Sequence, residues 1–598
     1  MRLLIVILFC SLFSFSQTTV EKVDNKWTLK VNGEPFKIKG ATFGYDKDVD
    51  NYDTYFKDLA YLGVNTVRTW ATGETTLQLL DAAERHGMKV MVGIWMRHGR
   101  PGMEDDDHFD YLTDKAGMED MYNNAVEAVN KYKDHPAVLT WGVGNEVYLN
   151  MATDEEKLVY SKFLERVCSQ IKSLDPNHPI SSVEAWTFGL DWWENHVPSL
   201  DIYGLNSYGP GAGFLQEELN KRNIDKPYII TEFGVTGEWD AQADKNGVKI
   251  EPTDKDKYNA IAKGYKDWIL NKPSCLGVYV FHYSSGVDFG GVWLMSHFEG
   301  RYRPQYWAIR EAYTGNKPEN EVPEISTFSL PDENYKSGTW IPVTLNVKDP
   351  ENDKLNISFH YNQREGSRKR RNQINSLNFR GSLSEGFEIE LPKENGPIKI
   401  YTYVEDSFKN LGIASASIMV EDKEAAAVKY KVPKVELPFY VYKDSGELPY
   451  LPTGYMGNYK ALNVDLNEKR EVHSGETAIK ITYSEESDWY GIAFVDPAND
   501  WGEILGGYDI SGAKTFSFWA KSKFSGVVVR LGFGLIESDK TYPDTAIKLE
   551  EIKLNSEWTK YTFKIKREDL SCIRSGLVMF ASSYGYPQTI YIDDVVFE

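Results

Sequence analysis

Eight β-rich runs alternate with helical segments between residues 36 and 315, and this rhythm most constrains the fold. The runs are 36–43, 65–70, 89–96, 137–146, 180–186, 200–208, 227–234 and 276–283. Amphipathic helical patterns lie between most of them, such as 75–87, which ends on a capping glycine, and 155–174. The length and order fit a (β/α)8 TIM barrel, which we predict over 17–317, with a hairpin at 20–36 closing its base. The alternative is a doubly wound open sheet, but no Gly-x-Gly-x-x-Gly or phosphate-binding loop follows the first run.

The helical pattern stops after the barrel, and two all-β regions follow. A polar, proline-bearing linker at 316–324 leads into short alternating strands over 322–423. These strands predict an immunoglobulin- or cadherin-like β-sandwich, in which the basic run 368–371 is a solvated loop. A second linker at 421–438 precedes 439–598, whose strands predict a β-jelly-roll.

The N-terminal segment has the pattern of a signal peptide. Arg2 precedes an apolar run, Leu3 to Phe13, that is too short to span a bilayer. Ser14, Phe15 and Ser16 form a small-x-small cleavage site, so we predict a signal peptide at 1–16. A lipoprotein signal ending at Cys10 is the alternative, although a bulky residue precedes that cysteine. No other run reaches transmembrane length, so we expect an exported protein that is secreted, periplasmic or held at the cell surface.

Composition excludes several classes of partner and site. The formal net charge is −21, which repels polyphosphates, so we expect no nucleic-acid partner. The 16 Trp and 37 Tyr residues suit stacking on sugar rings and β-rich cores equally well. The mature chain keeps Cys168, Cys275 and Cys572, which are distant in sequence and odd in number. Buried free thiols are therefore favoured over a disulfide framework or a zinc site.

Two glutamates end runs that would meet at one rim of the barrel. Glu146 closes the fourth run in Trp-Gly-Val-Gly-Asn-Glu, and Glu232 closes the seventh. A lone strand-end Glu is most often salt-bridged, but TIM-barrel chemistry occurs at the C-terminal strand ends. Two carboxyls there can act as a pair in which one protonates a leaving oxygen and the other attacks the anomeric carbon, at a separation of about 5–5.5 Å.

With these motifs, residues 36–315 resemble the retaining glycoside hydrolases of clan A, which include glycoside hydrolase families 2 and 5. The resemblance implies that Glu146 is the acid/base, that Glu232 is the nucleophile and that Asn145 bonds the sugar 2-hydroxyl. It further implies that Arg68 steadies the nucleophile and that Tyr208 donates a hydrogen bond to it. This chemistry needs no metal or organic cofactor.

One departure from the clan pattern concerns the end of the eighth run. Many clan members place a tryptophan there as a sugar platform, whereas this chain has Phe281, His282 and Tyr283. His282 and the following Trp293 are therefore predicted substrate-binding residues. Trp186 could stack on sugar or pack at the rim. His98, in the long loop 95–111, could line the cleft, and a solvated loop is an equal alternative.

The C-terminal region resembles β-sandwich carbohydrate-binding modules. Trp489, Tyr490 and Trp501 are candidate glycan-stacking residues, and core packing is the alternative for each. Asp444 and Asp593 could hold a structural Ca²⁺, because oxygen-rich loops suit that ion. The acidic segment 349–353 of the middle region could also bind calcium, although a plain turn is favoured.

These features predict a secreted retaining glycoside hydrolase that acts on a β-linked polysaccharide or oligosaccharide. An appended sugar-binding module favours a polymer, because tethering raises local substrate concentration. Gly-Asn-Glu-Val resembles fungal β-1,3-glucan transglycosylases, which favours β-glucan. The alternatives are glycosyl transfer, an inactive glycan-binding surface protein and a purely adhesive protein.

Overall fold

The computed structural model describes residues 17–100, 102, 107–286, 292–364, 371–394, 396–421, 432–537 and 540–598. The predicted signal peptide and most of the basic run at 368–371 lie outside the described residues. Within the described part, no helix is long and apolar enough to cross a lipid bilayer.

A small antiparallel sheet precedes the barrel and packs against its base. Its strands are β1 (Thr18–Val23), β2 (Lys26–Val31) and β3 (Glu34–Pro35). The Trp27 amide donates to the Pro273 carbonyl at 2.9 Å, just before the last barrel strand. Leu29 is buried among side chains from the first residues of the barrel strands, including Ile38 and Ile202. The sheet therefore closes the end of the barrel opposite the strands' C-terminal ends.

The next eight strands form a closed barrel in which every neighbouring pair is parallel. They are β4 (Ile38–Phe43), β5 (Thr66–Arg68), β6 (Lys89–Ile94), β7 (Val138–Asn145), β8 (Ile180–Ala185), β9 (Ile202–Asn206), β10 (Tyr228–Phe233) and β11 (Cys275–Tyr283). All eight residues of β7 are buried, because a barrel strand is covered on both faces. The predicted TIM barrel is confirmed.

Helices surround the barrel in sequence order. They are α1 (Tyr52–Tyr61), α2 (Thr76–Arg85), α3 (Lys115–Tyr132), α4 (Asp154–Leu174), α5 (Leu190–His196), α6 (Leu215–Lys221), α7 (Asp254–Gly264) and α8 (Pro304–Thr314). α4 begins at a Thr153 side chain that accepts from the Glu156 amide, with three acidic residues in its first turn. These charges favour the positive end of the helix dipole. A two-stranded sheet, β12 (His297–Phe298) and β13 (Arg301–Tyr302), precedes α8.

The second region is a sandwich of two four-stranded antiparallel sheets. Its strands are β14 (Glu324–Ser329), β15 (Trp340–Lys348), β16 (Asn356–Gln363), β17 (Asn375–Ser376), β18 (Phe379–Ser382), β19 (Gly386–Glu390), β20 (Gly396–Glu405) and β21 (Leu411–Val420). The two sheets enclose an apolar core that includes Ile341, Phe359, Ile389 and Ile400.

The third region is a larger sandwich of a six-stranded and a five-stranded sheet. Its strands are β22 (Phe439–Tyr442), β23 (Leu451–Gly457), β24 (Leu462–Glu468), β25 (Ala478–Tyr483), β26 (Ser487–Val495), β27 (Thr515–Ser522), β28 (Val528–Phe533), β29 (Lys548–Lys553), β30 (Thr559–Lys564), β31 (Ser575–Tyr584) and β32 (Gln588–Phe597). The predicted multidomain fold class, a barrel followed by β-sandwiches, is confirmed.

The first sandwich is joined to the barrel by a buried charged cluster. Glu251, before α7, accepts from Lys257 at 2.6 Å and from Lys399 of β20 at 2.8 Å. Burial alone would raise the pKa of Glu251, but the two ammonium groups hold it below its ordinary value. Arg303 pairs with Asp254 at 2.6 Å beside this cluster. Because the charged groups of this cluster pair with one another, we infer a fixed interface between the barrel and the first sandwich.

The C-terminal sandwich packs directly on the barrel loop that follows β6. Arg97 of that loop pairs with Asp465 of β24, and Arg100 donates to the Leu462 carbonyl at 3.1 Å. Lys480 of β25 lies 3.8 Å from Asp114, at the start of α3. The module is therefore docked beside the mouth of the barrel, whereas the sequence suggested a tethered unit.

Candidate active site

The two predicted catalytic glutamates lie at the C-terminal mouth of the barrel. Glu146 directly follows β7, and Glu232 is the penultimate residue of β10. The strand register pairs Glu232 with Asn206, the last residue of β9, so the ends of β9 and β10 reach the same level. This edge is the one at which TIM-barrel enzymes carry their chemistry.

The backbone before Glu146 explains the sequence Trp-Gly-Val-Gly-Asn-Glu. Gly144 has φ +75°, and a Cβ there would lie 2.6 Å from the Tyr160 hydroxyl, so glycine is required. Glu146 itself has φ +54°, a left-handed conformation that costs a non-glycine residue about 1–3 kcal/mol. This strained backbone conformation sets the direction of the Glu146 side chain at the end of the strand.

Glu232 is surrounded by hydrogen-bond donors. Its Oε1 accepts from Arg68 Nη1 at 2.8 Å and from Trp70 Nε1 at 3.2 Å. Its Oε2 accepts from the Tyr208 hydroxyl at 2.8 Å. Burial and the charge of Glu232 raise the pKa of Tyr208 well above its ordinary value, so the phenol keeps its proton. One cation and two neutral donors therefore stabilise negative charge on Glu232.

A second set of hydrogen bonds links the two glutamates through amides. Arg68 Nη2 donates to Asn145 Oδ1 at 2.6 Å, and Asn206 Nδ2 reaches the same oxygen at 3.3 Å. Asn206 Nδ2 also donates to Glu146 Oε1 at 2.7 Å. Because these donors occupy Asn145 Oδ1, Asn145 Nδ2 is the group left to donate to a sugar hydroxyl.

The surroundings of Glu146 differ from those of Glu232. Burial, and then the negative charge of Glu232, raise the pKa of Glu146 to about 7. Asn206 is its one hydrogen-bond donor among the described side chains. A raised pKa keeps the proton on Glu146 to a higher pH than in an ordinary glutamate, which suits a proton donor.

Glu184, at the end of β8, is a buried carboxyl that we did not predict. Burial and the charge of Glu146 raise its pKa to about 8. Its oxygens accept from the Tyr148 amide at 2.7 Å and the Ala185 amide at 2.8 Å. The strand-end rule that identified Glu146 also applies to Glu184. Asn206 gave no comparable sequence signal.

Trp70 and the residues that end β11 form an aromatic wall beside Glu232. The Trp70 ring lies 6.2 Å from Phe281 and 5.3 Å from His282, nearly perpendicular to both. His282 Nδ1 contacts Thr42 Oγ1 at 2.8 Å, and burial lowers the pKa of His282 to about 3. His282 is therefore uncharged near neutral pH and lies beside Trp70, and its role in substrate binding stays a prediction.

The prediction that Trp293 binds substrate is not supported, because its side chain is fully buried. Its Nε1 donates to the Thr236 carbonyl at 2.9 Å, and its ring packs under Tyr208 and Phe281. An aromatic that we did not predict, Trp239, is 48% exposed and lies 4.9 Å from the Tyr208 ring. Trp239 is thus better placed than Trp293 to contact a bound sugar.

Trp186 and His98 occupy the rim and the wall of the mouth, respectively. Trp186 follows β8 with φ +48°, is partly exposed, and donates its amide to the Asn206 carbonyl at 2.8 Å. His98 is buried, and its Nε2 lies 2.8 Å from the Asn145 carbonyl. Its ring lies 4.9 Å from Trp95, which is 37% exposed. His98 therefore supports Asn145 from behind, and Trp95 presents the aromatic surface.

The three predicted glycan-stacking residues of the C-terminal module differ in exposure. Trp489 is 48% exposed and Trp501 is 39% exposed, so both can reach a ligand. Tyr490 is fully buried, stacks on Tyr483 at 4.2 Å and donates to Gln588 Oε1 at 2.5 Å. The prediction for Tyr490 is wrong, because consecutive residues of a strand point to opposite faces and Trp489 takes the outer one.

The predicted calcium ligands of this module lie in different hydrogen-bond networks. Asp593 groups with Asp594 and His473. Asp593 Oδ2 accepts from the His473 amide at 2.9 Å, and its Oδ1 accepts from the Asp594 amide at 2.8 Å. Asp444 is outside this group and accepts from the amides of Glu476 and Thr477. Because Asp444 does not belong to the Asp593 group, a calcium ion shared by Asp444 and Asp593 stays a prediction.

Residues 27–270 match the family model for glycosyl hydrolases family 2, TIM barrel domain. Over these residues the barrel is similar to the TIM barrel domain of that family. The resemblance to clan A glycoside hydrolases is thereby confirmed, since family 2 is one of its members.

The proteins similar to this chain include enzymes of more than one specificity. A beta-glucuronidase of Pongo abelii is 30% identical over 190 residues, which cover 30% of this chain and 26% of that protein. A probable mannan endo-1,4-beta-mannosidase F of Aspergillus oryzae is 25% identical over 213 residues, covering 29% of this chain and 44% of that protein. The chain thus spans about a quarter of the beta-glucuronidase and less than half of the mannosidase.

Among solved structures, a Bacteroides uniformis beta-glucuronidase matches 97% of this chain and 67% of its own. The sequence identity is 13%, and the TM-score is 0.39.

Proposed function

We propose that this protein is an exported retaining β-glycoside hydrolase that cleaves a β-linked polysaccharide of neutral sugars, with β-glucan favoured. Export is supported by the signal-peptide pattern of residues 1–16. The observation that carries the enzymatic proposal is the contrast between the two glutamates. Glu232 receives three donors, one of them a cation, whereas Glu146 receives one amide donor and has a pKa raised to about 7.

In the first step, Glu146 donates its proton to the glycosidic oxygen while a Glu232 oxygen attacks the anomeric carbon. The bond between that carbon and the glycosidic oxygen breaks, and the leaving sugar departs as an alcohol. The product is an ester between the glycosyl unit and Glu232. Arg68 and Tyr208 hold the attacking carboxylate, and Asn145 Nδ2 is available to the sugar 2-hydroxyl.

In the second step, Glu146 changes from acid to base. Esterification removes the charge of Glu232, which is one of the causes that raise the pKa of Glu146. That pKa must therefore fall in the intermediate, so Glu146 stays ionised and can accept a proton from water. The water oxygen attacks the anomeric carbon, and the ester bond breaks to release Glu232 as an anion.

The charges at the mouth favour a neutral sugar over a uronic acid. Among the described side chains that contact either glutamate, the cation is Arg68, and its two Nη groups already serve Glu232, the Thr231 carbonyl and Asn145. His282 is uncharged near neutral pH. Among these described contacts a uronate carboxylate would meet two acids and no uncommitted cation, which favours a glucan or mannan over a glucuronide.

A cavity of about 540 Å³ favours a polymer over a disaccharide. It lies between the barrel loops and the docked C-terminal module, and its lining includes Trp95, Asn124, Asn467 and Arg470. Trp95 connects it to the catalytic residues through His98 and Asn145. A partly exposed indole with polar side chains around it is suited to a sugar unit several positions from the scissile bond.

The test is a panel of β-1,3-, β-1,4- and mixed-linkage glucans, mannan, xylan, galactan and an aryl β-glucuronide, with products separated by chromatography. Wild type is expected to cleave one neutral polymer, with retention of anomeric configuration by NMR. Glu232→Ala and Glu146→Ala should each lose at least about 10³-fold in kcat. Azide should restore turnover of an activated substrate in Glu146→Ala and give a β-glycosyl azide.

Other outcomes would contradict parts of the proposal. Cleavage of the glucuronide alone would overturn the neutral-sugar assignment. Products longer than the starting oligosaccharide would show glycosyl transfer. Binding without turnover on any substrate would mean a glycan-binding protein.

A further inference from the structure

The loop between β15 and β16 of the first sandwich carries three carboxylates at alternate positions. They belong to Asp349, Glu351 and Asp353, and one oxygen of each lies within 4.8 Å of the others. Asn352 has φ +64°, so the chain turns sharply inside the segment. Calcium-binding loops present side-chain oxygens from alternate positions, such as 1, 3 and 5, and these three residues have the same spacing.

Within the described part of the chain, the groups that donate to Asp349, Glu351 and Asp353 are backbone amides, a side-chain amide and a hydroxyl, not lysine or arginine. The donors that reach them are neutral. Asp353 Oδ2 accepts from Asn320 Nδ2 at 2.6 Å, and its Oδ1 accepts from Ser407 Oγ at 3.2 Å. Three negative groups so close together repel one another unless a cation lies among them.

Asp349 supplies a second and independent observation. Asp349 is only 8% exposed, and its Oδ2 is buried without a hydrogen-bond partner among the described residues. Its other oxygen, Oδ1, accepts from the Asp353 amide at 2.6 Å, which fixes the carboxylate in the turn. A buried carboxylate oxygen with no donor is unfavourable in the protein alone, and a metal ion satisfies it.

We propose that Asp349, Glu351 and Asp353 bind one Ca²⁺ ion. Three carboxylates, each able to use one or two oxygens, supply three to six of the six to eight oxygen ligands that calcium takes, and water can complete the shell. All ligands are oxygen, which favours a hard cation such as calcium over zinc, whose sites are rich in cysteine and histidine. Mg²⁺ is disfavoured because it needs a near-ideal octahedron and gives up its water reluctantly.

The position of the ion gives it a structural role. Asn320 and Glu321 belong to the segment between α8 and β14, and both contact this loop through Asp353 and Glu351. Asn320 Oδ1 also accepts from Asn410 Nδ2 at 2.7 Å, in the turn between β20 and β21. Calcium would therefore fix the connection between the barrel and the first sandwich.

Two other acidic groups in the described residues lack this combination. Asp593 and Asp594 accept from the backbone or side chains of His473 and Ser474. Asp81 and Glu84 lie at the surface, where His135 can pair with both. The Asp81 group serves as the control site, because its carboxylates have a partner and are open to solvent.

The test uses the full chain, treated with EDTA and then dialysed. Calcium chloride is titrated by isothermal calorimetry, and thermal unfolding is followed with calcium, with magnesium or with EDTA. We expect one saturable calcium site, a Tm that rises with calcium concentration, and no such rise at equal magnesium. Glu351→Gln, at an exposed position, should weaken binding about tenfold or more, and Asp349→Asn should abolish it. Asp81→Asn should bind like wild type.

The outcomes that overturn the proposal are equally specific. They are the absence of heat and of a Tm shift at millimolar calcium, binding that Glu351→Gln leaves unchanged, and an equal response to magnesium. Because Glu351 is exposed, its variant tests the site even if Asp349→Asn fails to fold. None of these readouts depends on glycosidase activity.

Discussion

Replacing Glu232 by glutamine should lower the pKa of Glu146, and the size of the change can be worked from the structure. The pKa of Glu146 is raised from 4.5 to about 7, first by burial and second by the charge of Glu232. Two charges about 5 Å apart, the separation of retaining pairs, interact by about 3 kcal/mol at an effective dielectric constant of 20, or about 2 pH units. That value is an upper limit, because the whole rise is from 4.5 to about 7 and burial is its larger cause; we therefore expect Glu232→Gln to lower this pKa by about one unit.

The assay is an infrared difference titration of the Glu146 carboxyl, whose band is identified by its loss in Glu146→Gln. Wild type should titrate near pH 7, and Glu232→Gln should titrate near pH 6. Glu503→Gln, on the exposed surface of the C-terminal module, is the matched control and should leave the titration unchanged. In wild type, kcat/KM should fall as pH rises through about 7, because the acid must be protonated.

Equal titration of Glu146 in wild type and Glu232→Gln would show that the two carboxyls are not coupled. A wild-type value near 4.5, the ordinary value for glutamate, would refute the assignment of Glu146 as the proton donor.

Three further changes test other parts of the account. Tyr208→Phe should lower kcat/KM about 10- to 100-fold, because a hydrogen bond to a charged group contributes about 1.5–3 kcal/mol; an unchanged value would remove Tyr208 from the site. Trp95→Ala should lower kcat/KM about tenfold on the polymer and within twofold on a short aryl glycoside, whereas equal losses on both would contradict a distal subsite. Glu184 has a folded pKa raised to about 8, so its stabilising contribution is present below pH 4.5 and is lost as pH rises through 8. Between these values the free energy of unfolding should fall by about 1.4 kcal/mol per pH unit from this group, and urea midpoints of Glu184→Gln should show a flatter slope than wild type.

The barrel and its two glutamates could be predicted because both follow from local patterns. Buried parallel strands are continuous apolar runs, and their C-terminal ends meet at one edge, so a carboxylate ending a run is recognisable. Glu184 satisfies the same rule in its run, and applying it to every strand would have identified that residue. The error for Tyr490 was also avoidable, because the alternation of side chains along a strand places Tyr490 on the face opposite Trp489.

The rest of the mouth depends on contacts between distant parts of the chain. Arg97 and Asp465 are 368 residues apart, and no local pattern pairs them. Their contact places the C-terminal module beside the cleft and creates the cavity lined by Trp95. Trp293 is buried for a related reason, because the loop that carries it folds under Tyr208 and Phe281. Periodicity locates the strands, but it does not show how loops and domains pack on one another.

The most direct test of the central claim is to trap the glycosyl-enzyme. The protein would be incubated with a 2-deoxy-2-fluoro β-glycosyl fluoride of the sugar found in the substrate panel, and its peptides would be analysed by mass spectrometry. The account predicts one adduct, on the peptide that contains Glu232, and none in Glu232→Gln. An adduct on another residue, or turnover with inversion and no adduct, would contradict it.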